Sequence, residues 1–313
     1  MDELDGGIRR VTLPLPHRPG HVHAYLLPGE DGWTIVDTGL GLPDARERWA
    51  GELAELDGAP VRRVVVTHFH PDHVGAAYDL AELTGAPVSQ GRVDYEQCAL
   101  VWGGGDWSDV LVGWFRRHGV PPNVTDELIE QGSGYRPFVR YWPDPDLLEP
   151  GEMVEGWEAV AAPGHADGQL MLFCDGVLIA ADHVLGRISP TVGLWPASRP
   201  DPLGDYLDAL RATIDLEPTL ALPGHGDPLT DPVGRARELL AHHRERLEVT
   251  AAALGDDPRS GYEVSFPLFG DDLKPPARRF AVAETLSHLE RLALEGGARR
   301  HETAEGVTYT ASQ

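Results

Sequence analysis

The sequence is poor in lysine and cysteine and contains no long apolar run. The chain contains a single lysine, Lys274. The 50 Asp and Glu residues exceed the 26 Lys and Arg residues, which gives a formal net charge of −24. A surface of this sign repels polyanions, so a nucleic-acid partner is not favoured. No apolar stretch reaches the ~18 residues that a membrane span needs, and the acidic N-terminus shows no secretory signal. These absences predict a cytoplasmic protein with no membrane partner.

Cysteine usage excludes a disulfide framework. The two cysteines, Cys98 and Cys174, are far apart and do not have the spacing of metal ligands. We expect both to be free thiols inside the protein. The 313 residues allow one large domain with a small one, or two domains.

One short stretch concentrates the residues that carry chemistry. Residues 67–75 (THFHPDHVG) contain three histidines and an aspartate within six positions. The β-branched run 61–66 before it predicts a strand buried on both faces, and residues 74–83 after it predict a helix. The cluster therefore follows the carboxyl end of a strand, where open α/β sheets place their sites.

The spacing within this stretch predicts two metal ions. His68 and His70 are two residues apart, so their side chains point the same way in an extended segment. Asp72 and His73 follow Pro71, which turns the chain and presents them to a different point. Imidazole and carboxylate groups are common metal ligands.

Other predicted strands also end in polar residues. Asp37 is the last residue of the predicted strand 33–37, and Asp182 follows the predicted strand 177–181. His165 and His225 each follow a Pro-Gly pair at the end of a predicted strand. We expect these side chains to converge with the histidine cluster. Asp37 is interpreted as a hydrogen-bonding partner of a metal ligand, with a plain turn aspartate as the alternative.

The alternation of strands and helices stops between residues 91 and 150. This segment holds half of the eight tryptophans, and glycine and proline divide it into short predicted helices. We interpret it as an insertion that forms a lid or a pocket wall. Aromatic side chains from it and from the loop 188–199 are expected to line a substrate pocket. They are Trp102, Trp107, Trp114, Tyr135 and Trp195.

Taken together, five motifs resemble those of the metallo-β-lactamase fold hydrolases, in the same order along the chain. They are Asp37-Thr38-Gly39, His68-x-His70-x-Asp72-His73, Pro163-Gly164-His165, Asp182 after an apolar strand, and Pro223-Gly224-His225. The resemblance implies the α/β fold of that family, an αββα sandwich of two mixed sheets with helices outside.

The resemblance also implies a dinuclear metal centre. One ion would be bound by His68, His70 and His165, the other by Asp72, His73 and His225, with Asp182 between them. The ions would be Zn²⁺, with Fe or Mn as alternatives, and a bridging hydroxide would attack the substrate. Asp72 and Asp182 would be the catalytic carboxylates.

Details of the motifs narrow the expected activity. Asp182 stands where the zinc β-lactamases of antibiotic resistance carry a cysteine, and His70 stands where the flavodiiron oxidoreductases carry a glutamate. The ligand set resembles the glyoxalase II and lactonase type, which implies hydrolysis of a small thioester, lactone or carboxylic ester. Three alternatives remain: a phosphodiesterase or endoribonuclease, a mononuclear iron oxidoreductase similar to persulfide dioxygenases, and a non-catalytic binding protein.

The C-terminal part resembles a small winged-helix-like segment. A long helix over 232–254, a second helix over 280–294 and a terminal hairpin are predicted. This pattern is similar to that of the β-lactamase-like endoribonucleases and their bacterial relatives. We therefore predict a catalytic domain at 1–232, which includes the insertion 91–150, and a C-terminal segment at 233–313. The segment is expected to be structural or to support a homodimer.

Overall fold

The computed structural model describes residues 1–105 and 107–312, apart from the side chains of residues 130–133. The chain forms two compact units. The first contains residues 1–105, 135–190 and 213–235, and the second contains residues 106–134, 191–212 and 236–313. This division is not the same as the predicted domains, whose boundary at residue 232 stays a prediction.

Two mixed sheets form the centre of the first unit. The larger sheet has seven strands in sequence order: β1 (Asp2–Glu3), β2 (Arg9–Pro14), β3 (His21–Gly29), β4 (Gly32–Val36), β5 (Val61–Val66), β6 (Val88–Gly91) and β7 (Asp146–Leu148). The smaller sheet has the order β12-β11-β10-β9-β8. Its strands are β8 (Met153–Val154), β9 (Trp157–Ala161), β10 (Leu170–Cys174), β11 (Val177–Ala181) and β12 (Leu220–Pro223).

Strand β5 shows how the sheets are covered on both faces. Val65 belongs to the core between the two sheets, together with Leu170 and Ile179 of the smaller sheet. Its neighbours Val64 and Val66 point the other way and pack in the core that contains Trp49 and Leu80. Side chains alternate along a strand, so an all-valine run is buried on both sides. The predicted buried strand and the αββα sandwich are confirmed.

Four helices of the first unit pack on the outer face of the larger sheet. They are α1 (Ala45–Ala54), α2 (Pro71–Val74), α3 (Ala77–Thr84) and α4 (Arg92–Trp102). The single helix predicted for residues 74–83 is interrupted at Gly75. A Cβ there would lie 2.3 Å from the Pro71 carbonyl oxygen and 2.7 Å from the Gly41 amide nitrogen. Only glycine fits this close approach of backbones, so the chain bends before α3 begins.

The region 91–150 is helical for most of its length but returns to the sheet. After α4 come α5 (Trp107–Arg117), α6 (Pro122–Ser133) and a short 3-10 turn at Arg136–Phe138. Strand β7 then pairs in parallel with β6, with Ser89 opposite Asp146. The expectation that strands are absent from this region is wrong at its end, because β7 has only three residues and gives no visible alternation.

The second unit has the topology of a winged helix. It contains most of α7 (Pro202–Leu216) and α8 (Pro232–Ala252), together with β13 (Arg259–Ser260), α9 (Gly261–Phe269), α10 (Pro275–Leu294), β14 (Ala298–Glu302) and β15 (Val307–Ala311). Strand β13 pairs with β15, which forms a hairpin with β14. The order from α8 to β15 is helix, strand, helix, helix, strand, strand. The predicted winged-helix-like character is thus present in the order of elements.

An apolar core holds the second unit together. Phe115, Val282, Leu286 and Tyr309 are fully buried in it and come from helices α5 and α10 and strand β15. Among the described residues, no helix is both long enough and apolar enough to span a bilayer.

Candidate metal centre

The strand ends of the two sheets meet at one edge of the first unit. Asp37 follows β4, and its amide donates to the Val65 carbonyl of β5 at 2.8 Å. Gly224 follows β12, and its amide donates to the Ala181 carbonyl at the end of β11, also at 2.8 Å. Asp37 and Ala181 have φ values of 64° and 45°, which is unusual for residues other than glycine. Such local strain is common where a loop must direct side chains into a site.

The structure brings together all seven residues predicted as metal ligands. Three overlapping groups have ligand atoms that lie within 4.8 Å of one another. They are His68, His70 and His165; His68, His73 and Asp182; and Asp72, His73 and His225. The first and third groups are the two sets implied by the sequence, and Asp182 belongs to a group that joins them.

Asp182 lies at the centre of this arrangement. Its Oδ2 atom is 3.3 Å from His225 Nε2 and 3.6 Å from His165 Nε2, and its Oδ1 atom is 3.5 Å from His73 Nε2. Gly224 makes room for it, because a Cβ at that position would be 2.5 Å from Asp182 Oδ1. One carboxylate therefore contacts histidines from both groups.

Asp37 orients two of the histidines. Its Oδ2 atom accepts a hydrogen bond from His73 Nδ1 at 2.7 Å. Thr67 Oγ1 donates to Asp37 at 2.9 Å and accepts from His68 Nδ1 at 3.0 Å. The Nδ1 atom of each imidazole therefore donates a hydrogen bond away from the cluster, and its Nε2 atom points into the cluster. This is the arrangement by which proteins fix the tautomer of a metal-binding histidine. The contact agrees with the interpretation of Asp37 as a partner of a ligand.

Buried atoms without hydrogen bonds indicate that the cluster fits a cation. The Nε2 atoms of His68 and His73 and the Oδ1 atom of Asp182 are buried and make no hydrogen bond. An unsatisfied buried polar atom costs about 1–3 kcal/mol. These atoms all point into the cluster, and a divalent ion would satisfy them.

The electrostatics of the cluster also favour positive charge. Burial lowers the pKa of His70 to about 3, with His165 next in importance, and burial likewise lowers the pKa of His68. Burial also opposes the charged form of His225, but Asp182 and Asp72 outweigh it and raise its pKa to about 10. The pKa of Asp72 falls to about 2 because its hydrogen bond to His225 and the charge of His73 outweigh its burial. The carboxylates thus stay ionised and stabilise positive charge beside His225, while His68 and His70 stay neutral, which is the form of imidazole that binds metal.

Three contributors to the site were not identified from the sequence. Thr67 links His68 to Asp37, and the His21 carbonyl oxygen accepts from His225 Nδ1 at 2.8 Å. Asp94 is fully buried and accepts from the Phe69 amide, which lies between His68 and His70, at 3.0 Å. Burial raises the pKa of Asp94 to about 7. Its position three residues after the end of β6 was the available signal, since the other site residues also follow strand ends.

The five aromatic residues proposed for the substrate pocket divide between the two units. Trp102 and Tyr135 pack at the edge of the core on the larger sheet, and the Trp102 indole donates to the Phe69 carbonyl at 2.9 Å. Trp114 and Trp195 stack on each other within the second unit, with ring centroids 5.9 Å apart, and Trp107 borders the same core. A role in substrate binding stays a prediction for all five.

Comparisons with known proteins agree with this architecture. Residues 17–225 match the family model of the metallo-beta-lactamase superfamily, and residues 247–311 match that of the metallo-beta-lactamase-like C-terminal domain. A metallo-beta-lactamase family protein from Thermus thermophilus has a crystal structure that superposes with a TM-score of 0.85 at 35% identity. That superposition covers 97% of this chain and 98% of the other.

Curated relatives carry hydrolase names. The probable metallo-hydrolase YqjP of Bacillus subtilis is 26% identical over 91% of this chain and 92% of its own length. The atrochrysone carboxyl ACP thioesterase dmxR1 of a Cryptosporiopsis species is 24% identical over 95% of this chain and 84% of its own length. Three observations lead to one conclusion. A family model matches most of the chain, a structural relative matches nearly its whole length, and the structure contains a cluster of potential metal ligands. The chain belongs to the metallo-beta-lactamase superfamily and is a metal-dependent hydrolase.

Proposed function

We propose that this hydrolase binds two Zn²⁺ ions and cleaves a thioester, a lactone or a carboxylic ester. The observation that carries the proposal is the position of Asp182, within 3.6 Å of histidines from both ligand groups. A carboxylate shared in this way suits two ions rather than one. His68, His70 and His165 would hold the first ion, and Asp72, His73 and His225 the second.

The ions would supply the chemistry, and the chain would supply orientation. When bound, two divalent ions would lower the pKa of a water molecule towards ~7 and would polarise an acyl carbonyl. Asp37 fixes the direction of His73 and, through Thr67, that of His68. Asp72 Oδ2 lies 3.4 Å from His225 Nε2 and is half-buried, so it is the carboxylate better placed to pass a proton to a leaving group.

The substrate class is supported by charge and by a relative. A formal net charge of −24 disfavours a polyanionic substrate such as RNA. The relative named as an acyl carrier protein thioesterase acts on a thioester, and the similarity extends over 95% of this chain. Aromatic side chains near the insertion suit an apolar acyl group. We therefore propose a small acyl substrate.

A substrate panel combined with metal analysis tests the proposal. Purified protein is expected to contain close to two equivalents of zinc and to hydrolyse an acyl thioester or a lactone faster than a β-lactam or a phosphodiester. The variant His70→Ala should lose activity and retain fewer metal ions. His301→Ala is the matched control, because His301 is an exposed histidine of the C-terminal hairpin that hydrogen-bonds to Thr310 instead of contacting the cluster.

Two results would overturn parts of the proposal. One equivalent of iron together with oxygen consumption would replace hydrolysis by a mononuclear iron reaction. Faster cleavage of the phosphodiester than of the thioester and lactone would replace the substrate class while leaving the metal centre in place.

A further inference from the structure

Helix α4 contacts both backbone polar groups of Phe69, the residue between His68 and His70. Asp94 Oδ1 accepts from the Phe69 amide at 3.0 Å, and Trp102 Nε1 donates to the Phe69 carbonyl at 2.9 Å. Helical side chains lean towards the N-terminus of their helix, so Trp102 in the last turn reaches back along α4. The backbone of Phe69, the residue between the two histidines, is thus bonded to one helix through both its N–H and its C=O.

The same helix also contacts the loop that carries His165. Gln97 Nε2 donates to Asp167 Oδ2 at 2.7 Å, and Asp167 lies two residues after His165. The next residue, Gly168, packs so closely on the first turn of α4 that a Cβ there would lie 2.1 Å from the Asp94 amide nitrogen. One helix therefore holds both loops that contribute to the three-histidine group.

The Asp94 carboxylate has little freedom to move. It is fully buried, and its second oxygen, Oδ2, accepts from Gln90 Nε2 at 2.6 Å. A buried carboxylate that lost either bond would cost about 1–3 kcal/mol or more. The Phe69 amide is consequently held in place by the Asp94 carboxylate, which is itself held by Gln90 near the end of β6.

The other ligand group is held from different directions. His73 is oriented by Asp37, and His225 donates from Nδ1 to the His21 carbonyl at 2.8 Å. Asp37 follows β4 and His21 begins β3, so neither support comes from α4. Helix α4 therefore supports the first group, whereas Asp37 contacts His73 of the other group directly and reaches His68 only through Thr67.

We infer that Asp94, Gln97 and Trp102 are positioning residues that set the geometry of the His68–His70–His165 group and thereby its affinity for metal. They act through Phe69 and Asp167, and none of the three belongs to the groups of potential metal ligands. The inference rests on the proposed two-metal function, because it assigns this helix to one of the two sites. It also places the first helix of the predicted insertion in the support of the metal centre, instead of in a mobile lid.

Three variants of the full-length protein test the inference. Trp102→Phe removes the indole donor and keeps an aromatic ring, and Asp94→Ala removes the acceptor. Asp94→Asn keeps an oxygen that can accept from Phe69. Trp142→Phe is the matched control, because the Trp142 indole donates to the Asp144 carbonyl at 3.1 Å at an exposed place. Each protein is loaded with Zn²⁺ or Co²⁺ and titrated with a chelator, and kcat and KM are measured with the best substrate.

Loss of one metal site is the expected result. Trp102→Phe and Asp94→Ala should bind one equivalent as tightly as the unaltered protein does and the other about 10–100-fold more weakly. The visible spectrum of bound Co²⁺ should change, and kcat should fall with little change in KM. Asp94→Asn and Trp142→Phe should remain close to the unaltered protein in metal affinity and spectrum.

Several outcomes would overturn the inference without touching the proposed function. Unchanged affinities and an unchanged Co²⁺ spectrum in Trp102→Phe would do so, and so would equal weakening of both metal sites. An Asp94→Asn variant as impaired as Asp94→Ala would also contradict it. If Asp94→Ala does not fold, Trp102→Phe decides. An unaltered protein that binds no metal would instead remove the proposed function itself.

Discussion

Two clusters of buried histidines in this protein have opposite surroundings. In the first unit, His73 and His225 lie beside the carboxylates of Asp37, Asp72 and Asp182. In the second unit, His243 of α8 and His288 of α10 are fully buried, and their ring nitrogens Nδ1 and Nε2 are 3.4 Å apart. Among the described residues, every group of potential metal ligands lies in the first unit.

The contacts explain why only one cluster is suited to a cation. Carboxylates raise the pKa of His225 to about 10 against the effect of burial, so positive charge is stabilised there. In the other cluster, burial together with His288 and other cationic neighbours lowers the pKa of His243 to about 3, and burial lowers that of His288 to about 4. Burial alone therefore does not make a metal site. The ionised carboxylates beside His73 and His225 are what stabilise a positive charge in the first cluster.

Removal of the shared carboxylate is expected to have the largest effect. Asp182→Ala removes the carboxylate that His73 and His225 share, and loss of one partner of a buried charged pair costs about 3–5 kcal/mol. Hydrolysis should fall about 1,000-fold, and zinc content should fall below that of the unaltered protein. Metal analysis and kcat/KM measure both effects.

The matched variant for Asp182→Ala is Asp201→Ala, which removes a carboxylate from the second unit. Asp201 accepts from Arg291 at 2.8 Å and caps the start of α7 through the Gly204 amide. It should lower stability without changing the zinc content. Equal loss of zinc in the two variants would contradict the contrast between the clusters.

Acid pH should act on the second cluster by a route that does not involve metal. The folded pKa values of His243 and His288 lie below the unfolded value of about 6.5, so the unfolded chain binds more protons between pH 6.5 and pH 4. Their contribution to stability is complete above pH 6.5 and is lost as the pH falls. Between pH 8 and pH 5 the loss is about 2 kcal/mol for each imidazole.

A double variant isolates this effect from its neighbours. The pair lies near Tyr206, His242 and Arg246, and burial raises the pKa of Glu284 on α10 to about 7. Glu284 acts in the opposite sense, because its folded form holds a proton that the unfolded chain releases above pH 4.5. The variant His243→Leu/His288→Leu removes only the histidine contribution. Urea unfolding of zinc-free protein at pH 8 and pH 5 should show a smaller acid loss in the variant, and an equal loss would contradict the assignment.

The two clusters also differ in how far the sequence predicts them. The ligands of the first unit follow strand ends in recognisable motifs, so the sequence predicts that they converge. His243 and His288 sit inside helices 45 residues apart, and nothing in the local pattern indicates that they meet. Their contact depends on how α8 packs against α10, which is a property of tertiary structure.

Secondary structure was predicted best where the local pattern and the packing agree. The hairpin of β10 and β11 and the strand β5 have strong apolar patterns, whereas α9 was missed. Ser260 and Glu263 form a capping box at its start, which is a sequence pattern typical of a helix N-terminus. Pro267 inside the helix is unfavourable for helix formation and obscures that pattern. The role of Asp94 was also missed, because its hydrogen bond to Phe69 joins elements whose spacing only the folded sheet determines.

The orientation of His73 provides the smallest and most selective test of the contrast. Asp37→Asn keeps the size of the side chain but removes its charge and one acceptor, so the hydrogen bonds from His73 and Thr67 cannot all be kept. Loss of such a supporting contact typically costs 10–100-fold in metal affinity or activity, and we expect about 10-fold here because an amide oxygen remains. The more strongly weakened metal equivalent should be the one held by Asp72, His73 and His225, because Asp37 contacts His73 directly and His68 only through Thr67. The α4 variant Trp102→Phe should instead weaken the other equivalent more strongly. If Asp37→Asn and Trp102→Phe weakened the same equivalent most, the two ligand groups would not differ in their support. Chelator titration of the two variants side by side therefore tests whether the first unit contains two separately supported metal sites.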